Sequence, residues 1–557
     1  MFVQDSETRL LSDLVRGRLS RRSLLARAGA LGLSAPVIAA MMVTREQAAV
    51  AQDAQASPVV AQASPVVANA EPTGEITWAL EFAPPNVLPF GGVALAQSLG
   101  KEHMYDSLLE WDAELNIQPA LAESYETPDE LTYVFHLRQG VMFHDGNEMK
   151  AADVKYSLDT VLAPPEPGVK LAFFDNIASV DIVDDYTVQV KMSKVDPTLP
   201  GVLAWGNYTP IVPAGIYDRI NVLSEGIGTG PFRLTEYVQD DVIVYEAFPD
   251  YWKDGVPCVG KLTLKSLTEE TTRVSQIRGG GIDGGTVGPD AAAQLEGEED
   301  IEVLRGITSA PRVIHFNTTQ EAPWRDVRVR QAINKCVDRQ QIIDNVYGGQ
   351  AEMTNAVPPG YGPYPLPPER LAELYAVDVE GAKALMAEAG HAEGFDVTLQ
   401  SIAQPVDYTQ IAEIVAESVR QININVTVEP LEIGTFADNN GTGNFEWQST
   451  GRGMRGDPSG YVIDFRTGTS QNLVWFGEGW SNDELDQLYD QALTTLDQSQ
   501  RPPLYQRIQE IIATEAANLY TVQPYKFQAV NRRVTGMYVY FGNTNPGLRT
   551  VCVAAEA

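Results

Sequence analysis

A chain of 557 residues, 44% of them hydrophobic and 20% charged, has ample apolar surface for a core. Single cores stop growing near ~250–300 residues, so two or three domains are expected. The formal charge of −34 would repel nucleic acid and anionic lipid headgroups, arguing against both as direct ligands and suiting solubility outside the cell.

Residues 1–51 read as an export signal. Ser20-Arg21-Arg22-Ser23-Leu24-Leu25 resembles a twin-arginine motif, with Leu24 where Phe is commoner and Ala26 where Lys is commoner. Sixteen uncharged residues, 28–43, follow between Arg27 and Arg45. A spanning helix needs ~20 apolar residues, and Gly29, Gly32 and Pro36 weaken this run further. Ala49-Val50-Ala51 suits signal cleavage, and a retained membrane anchor is the rival reading. Removing the leader, whose own charge is +3, leaves a mature chain near −37. Residues 52–74 contain Ala-Gln-Ala-Ser-Pro-Val-Val twice, at 54–60 and 61–67, and are expected to be a disordered tether.

The folded body opens with a strand at 76–80, then a loop and helix over 91–110. From 131 to 137, Leu131, Tyr133, Phe135 and Leu137 alternate with Thr132, Val134 and His136, the period of a strand with one buried face. Gly140 and His144-Asp145-Gly146-Asn147 mark turns. Val154, Leu158, Val161 and Leu162 fall on one helical stripe, ended by Pro164-Pro165.

Several positions at fixed spacing carry a resemblance here. They are Ala122-Glu123-Ser124, Leu131-Thr132-Tyr133, Phe135-His136-Leu137-Arg138, Gly140-Val141, Phe143-His144-Asp145-Gly146, Ala152-Asp153-Val154 and Ser157-Leu158. Together they resemble the signature of the bacterial extracellular solute-binding proteins of family 5, the peptide, oligopeptide and nickel group. Tyr105-Asp106-Ser107-Leu108 and Gly228-Thr229-Gly230-Pro231-Phe232 extend the likeness, as do Asp250-Tyr251-Trp252, Phe316-Asn317-Thr318-Thr319 and Asp326 to Asn334, so that it covers about 76–540. A phosphate loop at Gly228 is not supported, because no Lys-Ser/Thr and helix follow.

Further along, 180–190 reads as a hairpin and 326–347 as one amphipathic helix with Arg328, Arg330 and Arg339 on its solvated face. Residues 378–390 form a helix with a glycine stop. Ile411 to Ile422 form a helix feeding a strand at 424–428, as in an α/β layer. Ser481 with Glu484 suggests a capping box for a stripe of Leu485, Leu488, Leu493 and Leu496. A last helix from Pro502-Pro503 is expected to bury Leu504, Ile508, Ile511, Ile512 and Leu519. Of three cysteines, Cys336 lies on an apolar stripe and reads as a small buried hydrophobe. A Cys258–Cys552 bridge is open, and no C-x-x-C spacing suggests zinc or a redox dithiol.

The resemblance implies an α/β fold: a two-lobed periplasmic-binding-protein-like clamshell of class II type, with an extra α/β domain inserted in the first lobe. By analogy lobe I takes 75–109, 215–306 and 527–557, the extra domain 110–214, and lobe II 307–526. It also implies a ligand between the lobes. In peptide binders of this family an aspartate four residues before a proline meets the peptide ammonium. Counting back from Pro458, Met454 holds that position here, while Asp457 stands next to the proline. Arg452 and Arg455 bring two guanidinium groups that could clamp a carboxylate or pair with Asp457. Trp447 offers an apolar platform or packs in the core. Glu81 and Phe82 face the cleft by analogy, and Trp475 and Trp480 either line or seal it.

The expected function is the substrate-binding component of an ABC importer. It would capture a peptide or similar polar solute and deliver it to a membrane permease with its ATPase, as an exported monomer in the periplasm or on the outer face of the cytoplasmic membrane. No cysteine follows the apolar leader segment, so the lipid anchor common in the family is not expected. Alternatives are an oligosaccharide or anionic solute, a ligand-sensing receptor, and a secreted hydrolase. No cofactor, metal or catalytic residue is expected: five histidines show no metal spacing and no G-x-S-x-G elbow occurs.

Overall fold

The computed structural model describes residues 71–554, apart from 91–94, 114, 167, 169–173, 452, 454–455 and 543. The export signal and most of the tether lie outside the described residues. The body begins slightly before the expected end of the tether: the Thr73 amide donates to the Cys258 carbonyl at 2.9 Å, and the Gly260 amide to that of Gly74 at 3.0 Å.

Three sheets organise the chain. The largest runs in the order Ile301–Ile307, Val522–Asn531, Gly284–Val287, Glu75–Leu80, Lys261–Ser266, Val242–Ala247 and Phe232–Val238, with Ala351–Met353 added on Val522–Asn531. Glu75–Leu80 lies at its middle, parallel to both neighbours, which is why Ile76, Trp78, Ala79 and Leu80 are all buried. A second sheet runs Ile424–Leu431, Phe395–Ile402, Trp447–Gly451, Arg312–Phe316 and Leu519–Tyr520. A third, antiparallel, is Ala122–Asp129, Thr132–Leu137, Thr187–Met192 and Ile177–Asp184. Tyr133, Phe135 and Leu137 face inward as their period predicts, but Leu131 falls one residue before the strand and is exposed.

Hydrophobic packing joins the first and third sheets. One continuous core holds Ile76, Trp78 and Leu262 together with Phe135, Val154, Leu158 and Val190. The second sheet has its own core, with Ile314, Phe316, Leu399, Ile411, Val415 and Trp447. Two bodies therefore result, and the chain passes between them at 308–311 and at Thr521. A disulfide joins Cys258 to Cys552 within the first body, resolving the pairing that the sequence left open. Cys336 is free and buried.

Several local expectations change. The helix expected over 326–347 is two, Val327–Cys336 and Arg339–Tyr347, because the Asp338 side chain accepts from the Gln340 amide and starts a new one. Arg330 and Arg339 are buried, not solvated. Arg330 donates to the carbonyls of Ala516, Trp324 and Arg325, and Arg339 to those of Tyr520 and Val337. Both spend donors on backbone carbonyls, and Arg339 also donates to Asn334 Oδ1. Asn482, not Ser481, caps Asp483–Ala492, leaving Leu496 outside the helix and exposed. Pro502–Thr514 ends before Leu519, which belongs to the short strand Leu519–Tyr520.

Candidate functional site

Ligands of α/β sheets gather at the carboxyl ends of parallel strands, and in two-lobed folds between the domains. On the first body this edge follows Leu80 and delivers Glu81 and Phe82. One Glu81 carboxylate oxygen lies 3.6 Å from the Lys526 ammonium, while the other, Oε2, is buried without a hydrogen-bond partner. Phe82 is 48% exposed, an apolar ring open to a solute.

On the second body the corresponding edge follows Ile402, Leu431 and Gly451. Trp447–Gly451 pairs antiparallel to Arg312–Phe316, so Gly451 stands opposite Arg312 at the first crossover. Strand alternation sends Trp447 into the core. It is fully buried, in edge contact with Phe316 at 5.1 Å and Trp324 at 5.8 Å. Of the two readings open for Trp447, its burial favours the packing one. Trp475 and Trp480 are likewise buried, the first 4.2 Å from the His315 ring and the second donating to Glu515 at 2.8 Å.

Asp457 has a partner that the sequence did not suggest. Arg501 donates to both its oxygens, at 2.6 and 2.9 Å, and the Tyr505 hydroxyl donates at 3.3 Å. Burial works against the Arg501 charge, but the Asp457 carboxylate outweighs it and holds the guanidinium above its ordinary pKa. Both Asp457 oxygens are thus engaged by side chains of the protein. Arg452, Met454 and Arg455 lie outside the described residues.

Arg312 was missed by sequence reasoning. It donates to Asp407 Oδ2 at 2.8 Å, lies 4.4 Å over the Tyr408 ring, and shares Asp407 with the Tyr347 hydroxyl at 2.6 Å. The available signal was an arginine opening the short strand Arg312–Phe316 directly after Pro311. Asp407 Oδ1 is buried without a partner, as are Ser309 Oγ and Gln523 Oε1 at the crossovers. The two crossovers are bonded side by side: the Thr521 amide donates to the Arg312 carbonyl at 3.0 Å, and Gln523 to Thr308 Oγ1 at 2.8 Å. The chain thus passes between the two sheets along two segments that are hydrogen-bonded to each other. No group of side chains suited to a metal ion occurs among the described residues.

The family model for bacterial extracellular solute-binding proteins, family 5 matches residues 116–472. The chain belongs to this family. That makes it a two-lobed substrate-binding component of an ABC importer, within a family of binding proteins. The glutathione-binding protein GsiB of Escherichia coli O1:K1 is 27% identical over 475 residues, covering 80% of this chain and 88% of that protein. Among solved structures, AgaA of A. tumefaciens R10 in complex with agropinic acid is 26% identical at a TM-score of 0.72, covering 87% of this chain and 99% of that one. DppA from Helicobacter pylori in complex with the peptide STSA has a TM-score of 0.71 at 24% identity, covering 86% and 98%, and shares the fold.

Proposed function

We propose that this family 5 protein captures a peptide-sized polar solute carrying both a hydrogen-bond-donating end and a carboxylate, and returns it intact to a permease driven by its ATPase. The observation that carries this reading is the pair of buried acceptors, Glu81 Oε2 directly after the strand Glu75–Leu80 and Asp407 Oδ1 at the start of the helix Asp407–Val419 that follows the strand Phe395–Ile402. Buried acceptors are ordinarily satisfied, so an ammonium or amide donor suits them. Arg452 and Arg455, read from the sequence, would take the anionic end. Met454 in place of the usual aspartate fits a solute that is not anchored by a peptide ammonium at that position.

Glutathione-binding and agropinic acid-binding relatives support a small acidic solute as much as a longer peptide. In this reading the protein is an exported monomer working in the periplasm or at the outer membrane face, without a lipid anchor. Among the described residues no helix is long and apolar enough to cross a membrane. The lobes are 75–109 with 215–306 and 527–557, the inserted 110–214, and 307–526.

Native mass spectrometry of protein purified from its own host tests this. A retained species with amine and carboxylate groups supports the reading, and a neutral oligosaccharide contradicts it. A receptor would bind the same solute, and differs only in lacking a permease encoded beside it.

A further inference from the structure

The inserted domain and the second body meet through two glycines. Leu199–Leu203 is a short helix whose Leu199, Val202 and Leu203 are buried in the core shared by the first and third sheets. Gly201 faces the other way, onto Gly456, the neighbour of Asp457. A Cβ on Gly201 would lie 2.3 Å from the Gly456 carbonyl oxygen. A Cβ on Gly456 would lie 3.3 Å from the Gly201 oxygen and from the Val202 Cα. Helical backbone prefers alanine to glycine, so an added methyl would disturb its neighbours: the Gly456 carbonyl most closely, and Trp111 Cζ2 of the insert itself at 3.2 Å.

A second contact lies four residues earlier. The Pro197 carbonyl accepts from Gln498 Nε2 at 3.3 Å. The Gln498 oxygen accepts in turn from Arg501 at 3.0 Å, the residue that grips Asp457. Both contacts thus end on the Arg501–Asp457 pair. Beside them Trp205 of the insert packs in one apolar cluster with Tyr461, Val462 and Phe465 of the second body and Tyr540 and Phe541 of the first.

We propose that Gly201–Gly456 and Pro197–Gln498 form a closure latch, in which the inserted domain grips the Gly456-Asp457 segment and its Arg501 partner when the lobes shut and so fixes their position. The inference rests on capture by lobe closure. It makes Gly201 a positioning residue, and it ties affinity to a contact that touches no solute.

Thiol cross-linking in the full chain tests it. Lys194→Cys and Ser499→Cys place exposed thiols beside the contact, and a bismaleimide traps closed molecules even when they are few. Without added solute, Gly201→Ala should slow cross-linking at least tenfold with the melting temperature unchanged, and Gly456→Ala should slow it less. Equal rates in all three backgrounds would overturn the latch. Should Gly201→Ala lower the melting temperature, Gly456→Ala decides: slower cross-linking at an unchanged melting temperature supports the latch, and an unchanged rate overturns it. Titration with glutathione and with triglycine reads the consequence. Whichever of the two the unsubstituted protein binds should bind Gly201→Ala at least tenfold more weakly, and equal affinity would overturn the latch. Binding of neither counts against the solute class alone, because the cross-linking rates need no solute.

Discussion

Arg501 holds Asp457 with two hydrogen bonds, at 2.6 and 2.9 Å, in a setting where the guanidinium side chain is 1% exposed. A paired charge at that depth is tolerated only while both partners remain. Arg501→Ala strands a buried carboxylate and should cost about 3–5 kcal/mol of stability. Urea denaturation checks this, and a loss under 1 kcal/mol would show that water reaches Asp457.

Trp447 should behave as a core residue. Trp447→Ala is expected to destabilise by about 3–5 kcal/mol through the cavity it leaves among Phe316, Trp324 and Leu399. Trp447→Phe should keep solute affinity close to that of the natural protein. Isothermal titration with glutathione, if it binds, separates the two effects; a large affinity loss in a stable Phe variant would restore the platform role.

The disulfide closes a stretch of 294 residues within the first body. Removing a native cross-link typically costs ~2–5 kcal/mol. Cys258→Ser with Cys552→Ser should therefore melt well below the natural protein, and dithiothreitol should lower the natural protein to meet it. Coincident melting curves would show the bond contributes nothing.

Glu102 gives a pH dependence. Burial raises its pKa to about 7, against the Asn545 amide that donates to it at 2.7 Å and the charges of Arg549 and Lys526. Between the ordinary carboxyl value near 4.5 and about 7, the folded state holds a proton that the unfolded chain has released. Stability from this group is therefore complete at low pH, declines across that window, and is lost above it, by on the order of 3 kcal/mol. Glu102→Gln should flatten the decline. An identical pH profile in the variant would assign it elsewhere.

Arg455 was read from sequence as an anion clamp. If it makes a charged hydrogen bond, Arg455→Ala should weaken an anionic solute by ~1.5–3 kcal/mol. Unchanged affinity in titration would remove it from the site.

The fold was legible because its signals are local and repeated. Alternation at Tyr133, Phe135 and Leu137, the helical stripe at Val154 and Leu158, and the helix-then-strand run at 411–428 each name an element directly. The Gly228-Thr229-Gly230 segment, named in the sequence only as part of the resemblance, is close-packed: a Cβ on Gly228 would lie 2.0 Å from the Met104 carbonyl oxygen. The site was less legible. Arg501 and Asp457 are far apart in sequence, as are Gly201 and Gly456, and nothing periodic links such pairs. Arg330 and Arg339 look like surface charges in an amphipathic helix, because the carbonyls they satisfy come from the remote segment 515–520 and from loops. Trp447 shows the same limit: alternation says that it has a face, but only the neighbouring helices decide which one is buried.

Small-angle scattering of the full chain tests the central claim most directly, measured alone and saturated with the solute identified by native mass spectrometry. Closure of two bodies about the paired crossovers predicts a smaller radius of gyration in the saturated sample, with the solute recovered unchanged. Superimposable curves at proven saturation, or a solute recovered cleaved, would contradict it.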